Sequence, residues 1–392
     1  MQPQDPMFAD AELSAPVEAE SAVSPLELFF DLVFVLALTQ VTALMAADPT
    51  AHGLVRGMLI LAILWWGWVG YAWLTDCVDV DEGGMRLAYL TAMAAMLVAS
   101  LTVPTAFTTD AMVFALAYFA FRALHVVIYE RSTRAMPQVN RAVRRLGPLL
   151  LISSALIIVG ALFDGPAQVV IWAFAITLDY ASPLMTGSDG WQISPGHFAE
   201  RHGLIIIIAL GESVVAIGAG SSSGNVTLQI VLAAVMGVAV VGALWWMYFD
   251  VVAIVAARKL REATDVGRNA MARDSYSYLH LPMIAGIVLL ALGLKKTLSH
   301  PDETLHAVPA IALCGGVALY LLAHIAFRLR NVGSLNRQRL VAAAACLALI
   351  PLALHAEALP ALAALLGVLV TLIGYETVRF REARARIRTE AR

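Results

Sequence analysis

Two carboxylates lie four residues apart at the head of a long apolar stretch. Glu27 and Asp31 belong to the segment Ser24–Gln40, and in a helix residues i and i+4 share one face. A carboxylate near a helix start interacts favourably with the helix dipole, which suffices to explain Glu27. Asp31 lies about one turn deeper, where an ionised carboxylate needs a partner. We expect Arg201 or Arg122 to pair with it, either as a structural ion pair or as a gate or ion site.

A further acidic residue is predicted deep inside another span. Glu212 follows Glu200 by 12 residues, which is about 18 Å along a helix. We expect Gly211 to allow close approach of a second helix and Ser213 to offer a hydroxyl. Burial favours the neutral form, so Glu212 is a candidate proton-binding group; alternatively, it is a neutral hydrogen-bonding acid that locks two helices. Gln40 occupies the corresponding place in the first half, and its amide does not titrate.

A cluster of ionisable residues lies just before the predicted seventh span: His197, Glu200, Arg201 and His202. We expect Glu200 and Arg201 to pair with Arg122 and Asp31. The spacing does not match the HExxH pattern of a zinc-binding helix, so a metal is left unknown. The cluster is interpreted as a cytosolic mouth or a structural network.

Four other ionisable residues lie toward the predicted cytosolic ends of their spans: Asp179, Asp250, His280 and His324. With Asp31 they could line an acidic vestibule, and ordinary interfacial placement is the alternative. Asp250 is the strongest of the four candidates because it follows an aromatic run.

Aromatic residues form a second group of candidates, for packing or for lining a pore: Phe29, Phe30, Trp65, Trp66, Trp245 and Trp246. Tryptophans gather at membrane interfaces, but Trp65 and Trp66 fall near the middle of a predicted span. Packing between helices is therefore expected for them, and a constriction or a cation–π surface is the alternative.

The composition is that of a membrane protein. The chain has 392 residues, of which 60% are hydrophobic and 14% charged, with a mean hydropathy of +0.77. Soluble domains average about 45–50% apolar and about 25% charged residues. The net charge of −3 gives no support for nucleic-acid binding. The three cysteines form no CxxC pair, and no phosphate loop or dinucleotide motif is present, so we predict no cofactor.

The apolar runs predict twelve transmembrane helices. Their approximate limits are about 28–46, 54–75, 85–107, 109–129, 146–163, 167–184, 203–220, 226–256, 276–294, 305–328, 338–356 and 359–378. With these limits, 22 of the 26 Lys and Arg residues lie on the side of the two termini and 3 on the other. Positive charge favours the cytosol, so both termini are predicted to be cytosolic.

Landmarks recur in order along the chain and predict an internal duplication. The pair Trp65-Trp66 returns as Trp245-Trp246, and two parallel six-span repeats are a known transporter arrangement. We therefore predict an all-α polytopic fold. Its parts are an acidic disordered tail (1–23), two six-helix repeats (24–190 and 191–380) and a basic cytosolic tail (381–392).

Two motifs resemble signatures of a known family. The run Glu27-Leu-Phe-Phe-Asp31-Leu-Val-Phe34 and the block from His197 through Glu212-Ser213 resemble the bacterial low temperature requirement protein A family. The resemblance extends from about Ser24 to about Phe380. It implies a membrane protein and marks these residues, but the family's name refers to growth and implies no particular reaction.

A second resemblance points to channels. Phe29 to Phe34 is similar to the Phe-Ser-Asp motif that opens six-span repeats of a potassium-channel family of bacteria and lysosomes. Here Phe30 replaces the serine, and the second half has Glu200-Arg201-His202 without a Phe-x-Asp sequence.

These observations predict a transporter or proton-linked permease of unknown substrate, with Glu212 as the titrating site. One alternative is a cation channel with Phe29 and Asp31 in its pore, and another is a membrane-embedded enzyme or lipid-handling protein, although a non-enzyme is favoured. The expected location is the bacterial inner membrane. The expected partners are anionic lipid headgroups and an ion or small solute, without nucleic acid, and the architecture is compatible with a homo-oligomer.

Overall fold

A computed structural model describes residues 23–78, 83–221 and 226–390 of the chain. Within these ranges the secondary structure is helical, with one isolated β-bridge between Thr304 and Glu357. The predicted all-α class is therefore confirmed. The predicted acidic tail falls almost wholly on residues 1–22, which lie outside the described ranges.

The helices of the described residues follow the order predicted from the apolar runs. They are α1 Pro25–Ala47, α2 Ala51–Thr75, α3 Gly83–Thr102, α4 Ala111–Ser132, α5 Pro137–Gly160, α6 Pro166–Thr186, α7 Pro195–Gly220, α8 Leu228–Phe249, α9 Val252–Glu262, α10 Asp265–Met271, α11 His280–Ser299, α12 Ala307–Val332, α13 Arg337–Ala348, α14 Ile350–His355, α15 Ala358–Arg379 and α16 Arg381–Glu390. Together they provide 12 segments long and apolar enough to cross a membrane. The predicted number of spans is confirmed.

Two helices begin earlier than predicted because their first turns are polar on one side. The helix α5 begins at Pro137 and α7 at Pro195, whereas the apolar runs placed these starts at 146 and 203. In α5 the early turns bury Val139 and Val143 while the arginines between and after them stay exposed. A hydropathy average over such turns is low, although the helix is continuous. The His197–His202 cluster therefore lies within α7 rather than before it.

Three predicted spans are interrupted: the eighth, the ninth and the eleventh, in which Leu349 separates α13 from α14. The eighth ends as a straight helix at Phe249, and α9 follows after Asp250 and Val251. The ninth, predicted at about 276–294, begins in a π-helical segment, Ala272–Tyr278, and continues as α11; the helix α10 precedes it.

The chain divides into two compact units, which are described separately. The N-terminal unit contains Ser21–Arg201 and Thr264–Ala272, and the C-terminal unit contains His202–Ala263 and Arg273–Arg392. The predicted duplication into two parallel repeats stays a prediction.

Aromatic rings fill the core of the N-terminal unit. The ring of Phe30 on α1 lies 5.1 Å from that of Tyr71 and 5.0 Å from that of Tyr89, between centroids. On α2, Trp65 stacks on Trp68 at 5.1 Å. Such pairs add about 0.5–1.5 kcal/mol to the free energy gained from burial alone. They fix the face of α1 that also carries the two carboxylates.

Glycines allow close packing in the C-terminal unit. A Cβ atom added to Gly286 would lie 2.6 Å from the backbone oxygen of Gly316, and one added to Gly293 would lie 2.6 Å from Leu313 Cα. Larger residues would therefore push α11 and α12 apart. Small residues at helix contacts are typical of membrane proteins, where backbones approach closely.

Candidate functional site: a buried charge network in the N-terminal unit

The first turn of α1 holds Glu27 in a capping box. The backbone N–H of Glu27 donates to Ser24 Oγ at 3.3 Å, and the N–H of Ser24 donates to Glu27 Oε2 at 2.9 Å. Pro25 occupies the first helical position, where its missing N–H costs nothing. These contacts satisfy two N–H groups at the helix end. The predicted helix-start role of Glu27 is confirmed, and its second oxygen remains available for another partner.

Arg201 of α7 bridges the two carboxylates of α1. Its Nη1 donates to Glu27 Oε1 at 2.6 Å, and its Nη2 donates to Asp31 Oδ1 at 3.0 Å. The Nε1–H of Trp68 also donates to Asp31 Oδ1, at 2.8 Å. All of these side chains are buried. The predicted pairing of Asp31 with Arg201 is confirmed, and the spacing of four residues lets one guanidinium reach both acids.

His197 links the pair to a third carboxylate. Its Nδ1 lies 2.9 Å from Asp76 Oδ1, and its Nε2 lies 3.1 Å from Glu27 Oε2. Asp76 caps the C-terminal end of α2 and also accepts a hydrogen bond from the N–H of Ser194. Asp76 lies just beyond the end of α2, outside the membrane-spanning segment. Burial raises the pKa of this carboxyl above the ordinary value, outweighing the opposing hydrogen bonds from His197 and Ser194.

The two contacts of His197 fix a minimum number of protons. Each ring nitrogen lies at hydrogen-bond distance from a carboxylate oxygen, and each such contact needs one proton. A neutral imidazole carries only one. The second proton either makes the ring an imidazolium or resides on Asp76 or Glu27. These three groups therefore hold at least two protons between them.

We call Glu27, Asp31, Asp76, His197 and Arg201 together the Arg201 network. It contains three carboxylates against one guanidinium and one imidazole. The Oδ2 atom of Asp31 is buried and has no hydrogen-bond partner among the described residues. Even with a charged histidine, the acids exceed the bases by one. Burying that excess charge is costly, which favours binding of a further proton or a cation.

A neighbouring residue of the loop after α2 is a thiol. Cys77 donates to the carbonyl oxygen of Gln192 at 2.9 Å, and burial raises its pKa to about 12. The thiol is therefore neutral at physiological pH and adds no further charge beside Asp76.

The predicted pairing of Glu200 with Arg122 is wrong. Arg122 is buried and donates to both carboxylate oxygens of Asp179, at 3.1 and 3.2 Å, and to the carbonyl oxygen of Trp66 at 3.2 Å. The side chain of Glu200 is exposed. Because α7 continues through this region, Arg201 and Glu200 point to different sides of the helix, so only Arg201 enters the network.

Asp250 does not form the predicted acidic vestibule. In the C-terminal unit it pairs with Arg384 and, at 3.3 Å, with Arg388 of α16. The same correction applies to Asp31 and Asp179, since each already pairs with a buried arginine. These carboxylates belong to separate ion pairs rather than to one open acidic surface.

The two histidines of that prediction, His280 and His324, are also engaged, as is His202 of the predicted cytosolic cluster. His280 Nε2 lies 2.9 Å from the hydroxyl of Tyr248, and the ring of His202 packs against His280 and Tyr276. His324 Nδ1 lies 2.9 Å from Arg339 Nη1. All three histidines are buried.

A second buried network lies in the C-terminal unit and was missed by sequence reasoning. Arg339 Nε and Nη2 donate to the two oxygens of Glu376 at 3.0 and 3.1 Å. Arg384 lies 3.7 Å from the same carboxylate. With Asp250 and Arg388, these residues form what we call the Arg339 network. The sequence feature that could have revealed this network is Glu376, a carboxylate inside the predicted twelfth span.

Glu212 and Ser213 are buried in α7, within the C-terminal unit, and Ser213 Oγ donates to the carbonyl oxygen of Ile287 at 3.4 Å. The predicted close helix approach at Gly211 is wrong, because an added Cβ would meet no described atom within 4 Å. Gln40 is half-buried in α1. The role of Glu212 stays a prediction.

The candidate aromatic residues divide by exposure. Phe30, Trp65 and Trp66 are buried, and Trp66 stacks on Tyr180 at 4.1 Å. The other three lie on the surface of the described chain: Phe29 is 52% exposed, Trp245 44% and Trp246 38%. Packing in the core therefore describes the first group, whereas in the second group the exposed Trp245 stacks on the ring of Phe249 at 5.5 Å.

The chain is similar in sequence to a known bacterial family. The sequence model of the bacterial low temperature requirement A protein (LtrA) matches residues 22–374. The chain belongs to the LtrA family. The match includes the carboxylates of α1 and the start of α7, as the two motifs predicted. This LtrA-family protein is a multi-pass membrane protein with 12 candidate spans.

A curated relative agrees with this assignment. An uncharacterized protein of Rhizobium meliloti (strain 1021) is 31% identical over 307 residues, covering 75% of this chain and 74% of the relative. No solved structure matches the chain.

Proposed function

We propose that this LtrA-family protein is a proton-linked transporter, with the Arg201 network as its proton-binding site. The observation that supports this proposal is the excess of acids in the network, together with the double contact of His197 to Asp76 and Glu27. Ionisable groups buried in membrane spans mark ion and proton pathways. The transported solute is a small molecule or ion of unknown identity.

The contacts of His197 provide a route for the proton. Asp76 lies just beyond α2, whereas Glu27 lies in the first turn of α1. A proton that enters at Asp76 passes to Nδ1 of the imidazole, and the ring then releases a proton from Nε2 to Glu27. Arg201 then connects Glu27 with Asp31 one turn deeper.

Protonation also changes how three helices are joined. The network ties α1 to the end of α2 and to the start of α7. When a proton neutralises Glu27, Arg201 keeps only Asp31 as a charged partner, and the joint between α1 and α7 weakens. A ligand or proton drives a conformational change only by binding two states with different affinity. Because the contact between Arg201 and Glu27 weakens on protonation, a proton binds with different affinity to arrangements of α1 and α7 that keep this contact and to arrangements that break it.

The exposures of Phe29 and Asp31 give the channel alternative less support. Phe29 is exposed and Asp31 is buried on the other side of α1, so the two do not line one common surface. Asp250 pairs with arginines, so this carboxylate gives no support to the alternative of a membrane-embedded enzyme. We keep the inner membrane with cytosolic termini as part of the proposal, since it accords with the distribution of arginines.

Proteoliposomes with an internal pH-sensitive dye test the proposal. Libraries of small solutes are added, and solute-dependent proton entry is recorded for the wild type and for His197→Gln and Glu27→Gln. We expect both variants to lose about tenfold or more of the proton flux. Asp164→Asn, which removes an exposed carboxylate of the α5–α6 turn in the same unit, is the matched control and keeps wild-type flux.

Glu212→Gln separates the two candidate proton sites. Full flux in this variant assigns the proton to the Arg201 network. Flux that disappears in Glu212→Gln alone, and persists in the other two variants, would contradict our assignment and restore Glu212 as the titrating group. Thermal unfolding of each purified variant confirms that lost flux is not lost folding.

A further inference from the structure

A cationic pocket lies where α4 ends and α5 begins, in the N-terminal unit. Its volume is about 410 Å³, and its lining consists of Arg134, Pro137, Asn140, Arg141, Arg144 and Arg145. Asn140 gives the turn its shape, because its Nδ2 donates to the carbonyl oxygen of Glu130 at 2.8 Å and to Thr133 Oγ1 at 3.2 Å. The pocket is thus a fixed feature of the helix connection.

The positive charge of the pocket is largely uncompensated. Arg144 pairs with Glu130 at 3.0 Å, and both side chains are partly exposed. Arg145 donates to the backbone oxygen of Asp189 at 2.8 Å, which orients it without cancelling its charge. Arg134 and Arg141 form no ion pair with any described residue. Four guanidinium groups therefore face one carboxylate, a balance that favours a bound anion.

The local fold explains why the arginines gather there. The first turns of α5 bury Val139, Ala142 and Val143 against the unit. Arg141, Arg144 and Arg145 fall on the opposite side of the helix and are exposed. Guanidinium groups bind phosphate oxygens through paired N–H donors, with more directional specificity than an ammonium group. A phosphate ester is thus the anion that fits this pocket.

The residues deeper along α5 distinguish a lipid from a free anion. Pro148 and Ile152 follow Arg141 and Arg145 at helical spacing on the same face, and both are exposed. Ile152 lies about 10 Å along the helix from Arg145. A charged end followed by an apolar track along a membrane span matches a headgroup and its acyl chain. A free phosphate would use only the charged end.

We propose that this pocket binds the phosphate of an anionic phospholipid, with an acyl chain lying along the exposed face of α5. Basic pockets at the ends of transmembrane helices bind such headgroups. The lipid would hold the α4–α5 connection at the level of the headgroups. This proposal is independent of the proton-linked function proposed above.

The test measures lipid binding to the full-length protein in zwitterionic detergent. Phosphatidylglycerol is titrated and binding is followed by thermal unfolding and by native mass spectrometry. Phosphatidylcholine and inorganic phosphate are the comparison ligands. We expect phosphatidylglycerol to raise the unfolding temperature and to remain bound, whereas neither comparison ligand does so. Inorganic phosphate that binds with the affinity of the lipid would overturn the lipid assignment.

Paired substitutions locate the site. Arg141→Gln with Arg145→Gln should weaken phosphatidylglycerol binding by about tenfold or more, because two of the phosphate-binding forks are lost. Arg381→Gln with Arg386→Gln removes the same charge from exposed positions of α16 and should leave binding within about twofold. Equal losses in the two pairs would show diffuse attraction and overturn the site.

A charge-conserving pair keeps the proposal testable if the glutamine pair fails to fold. Arg141→Lys with Arg145→Lys retains both charges and removes the paired donors. We expect binding about threefold or more weaker than in the wild type. Wild-type affinity in this variant would overturn specific recognition of the phosphate.

Discussion

The two units each contain a buried arginine between acidic groups, but their charge balance differs in sign. The Arg201 network sets three carboxylates against one guanidinium and one imidazole. The Arg339 network sets two carboxylates, Asp250 and Glu376, against three guanidinium groups. The first network has more acid than permanent positive charge, and the second has more permanent positive charge than acid.

In our proposal this difference separates a network that exchanges protons from one that holds helices together. Arginine stays charged at any physiological pH, so carboxylates saturated by arginines stay ionised, and their contacts stay constant. An imidazole between two carboxylates changes its contacts with each proton gained or lost. The Arg339 network joins α8, α13, α15 and α16 by contacts of the first kind. We therefore place proton exchange in the other unit.

The largest expected effect comes from removing the central arginine of each network. Arg201→Met leaves Asp31 with one hydrogen bond, from Trp68. A buried charge without its partner costs about 3–5 kcal/mol. Arg339→Met should cost less, about 1–3 kcal/mol, because Glu376 keeps Asn336 at 3.2 Å and Arg384 at 3.7 Å. Denaturant unfolding in mixed micelles measures both losses.

Equal losses in the two variants would contradict the comparison, since they would mean that neither carboxylate has useful secondary partners. Arg201→Lys is the matched variant, because it restores a charge but not the two-armed reach to Glu27 and Asp31. We expect its stability to fall between those of the wild type and Arg201→Met.

A smaller effect is expected in the Arg339 network. Arg384→Gln removes one partner of Asp250, which keeps Arg388 at 3.3 Å, so the loss should be about 1–2 kcal/mol. Proton flux in proteoliposomes should remain at the wild-type level. Arg386→Gln, an exposed neighbour on α16, should change stability by less than about 0.5 kcal/mol. A flux that falls with Arg384→Gln would show that the second network also takes part in proton exchange.

The smallest effect is a difference in pH dependence. Burial raises the pKa of Asp76, so the folded protein binds this proton more tightly than the unfolded chain. The resulting stabilisation is complete below the ordinary aspartate pKa of about 3.9 and is lost as the pH rises through the folded-state pKa. In Asp76→Asn this contribution is absent. The free energy of unfolding of the wild type, minus that of the variant, should therefore decrease as the pH rises above about 4.

Unfolding measured at closely spaced pH values checks this sign. A difference that stays constant across the series, or that increases with pH, would show that Asp76 holds no proton of its own in the folded protein. A constant offset between the two proteins does not affect the test, because only its change with pH is compared.

Sequence reasoning found the Arg201–Asp31 pair because the membrane leaves few choices. A carboxylate one turn inside a span needs a cation, and few arginines lie at a suitable depth. The pairing of Glu200 with Arg122 failed because it required knowing which side of α7 faces the unit. Asp179, the actual partner of Arg122, lies 57 residues away from it in the chain, and hydropathy does not specify how the helices are arranged in the bundle.

The missed residues have a common physical cause. Asp76 lies one position beyond a predicted span, where a carboxylate is expected to be solvated, and only the fold buries its side chain. Arg339 lies in the polar first turn of α13. In the same way, three arginines of the cationic pocket lie in the polar first turns of α5. The spans themselves were predictable because each requires a long apolar run. The polar turns that extend them carry much of the chemistry.

The backbone contact between α11 and α12 determines how the C-terminal unit moves. Gly286 and Gly316 meet with no side chain between them, and Gly293 sits against Leu313. Sliding one helix along the other would bring a neighbouring side chain into a gap that holds only a hydrogen atom. The two helices therefore behave as a single rigid pair within this unit.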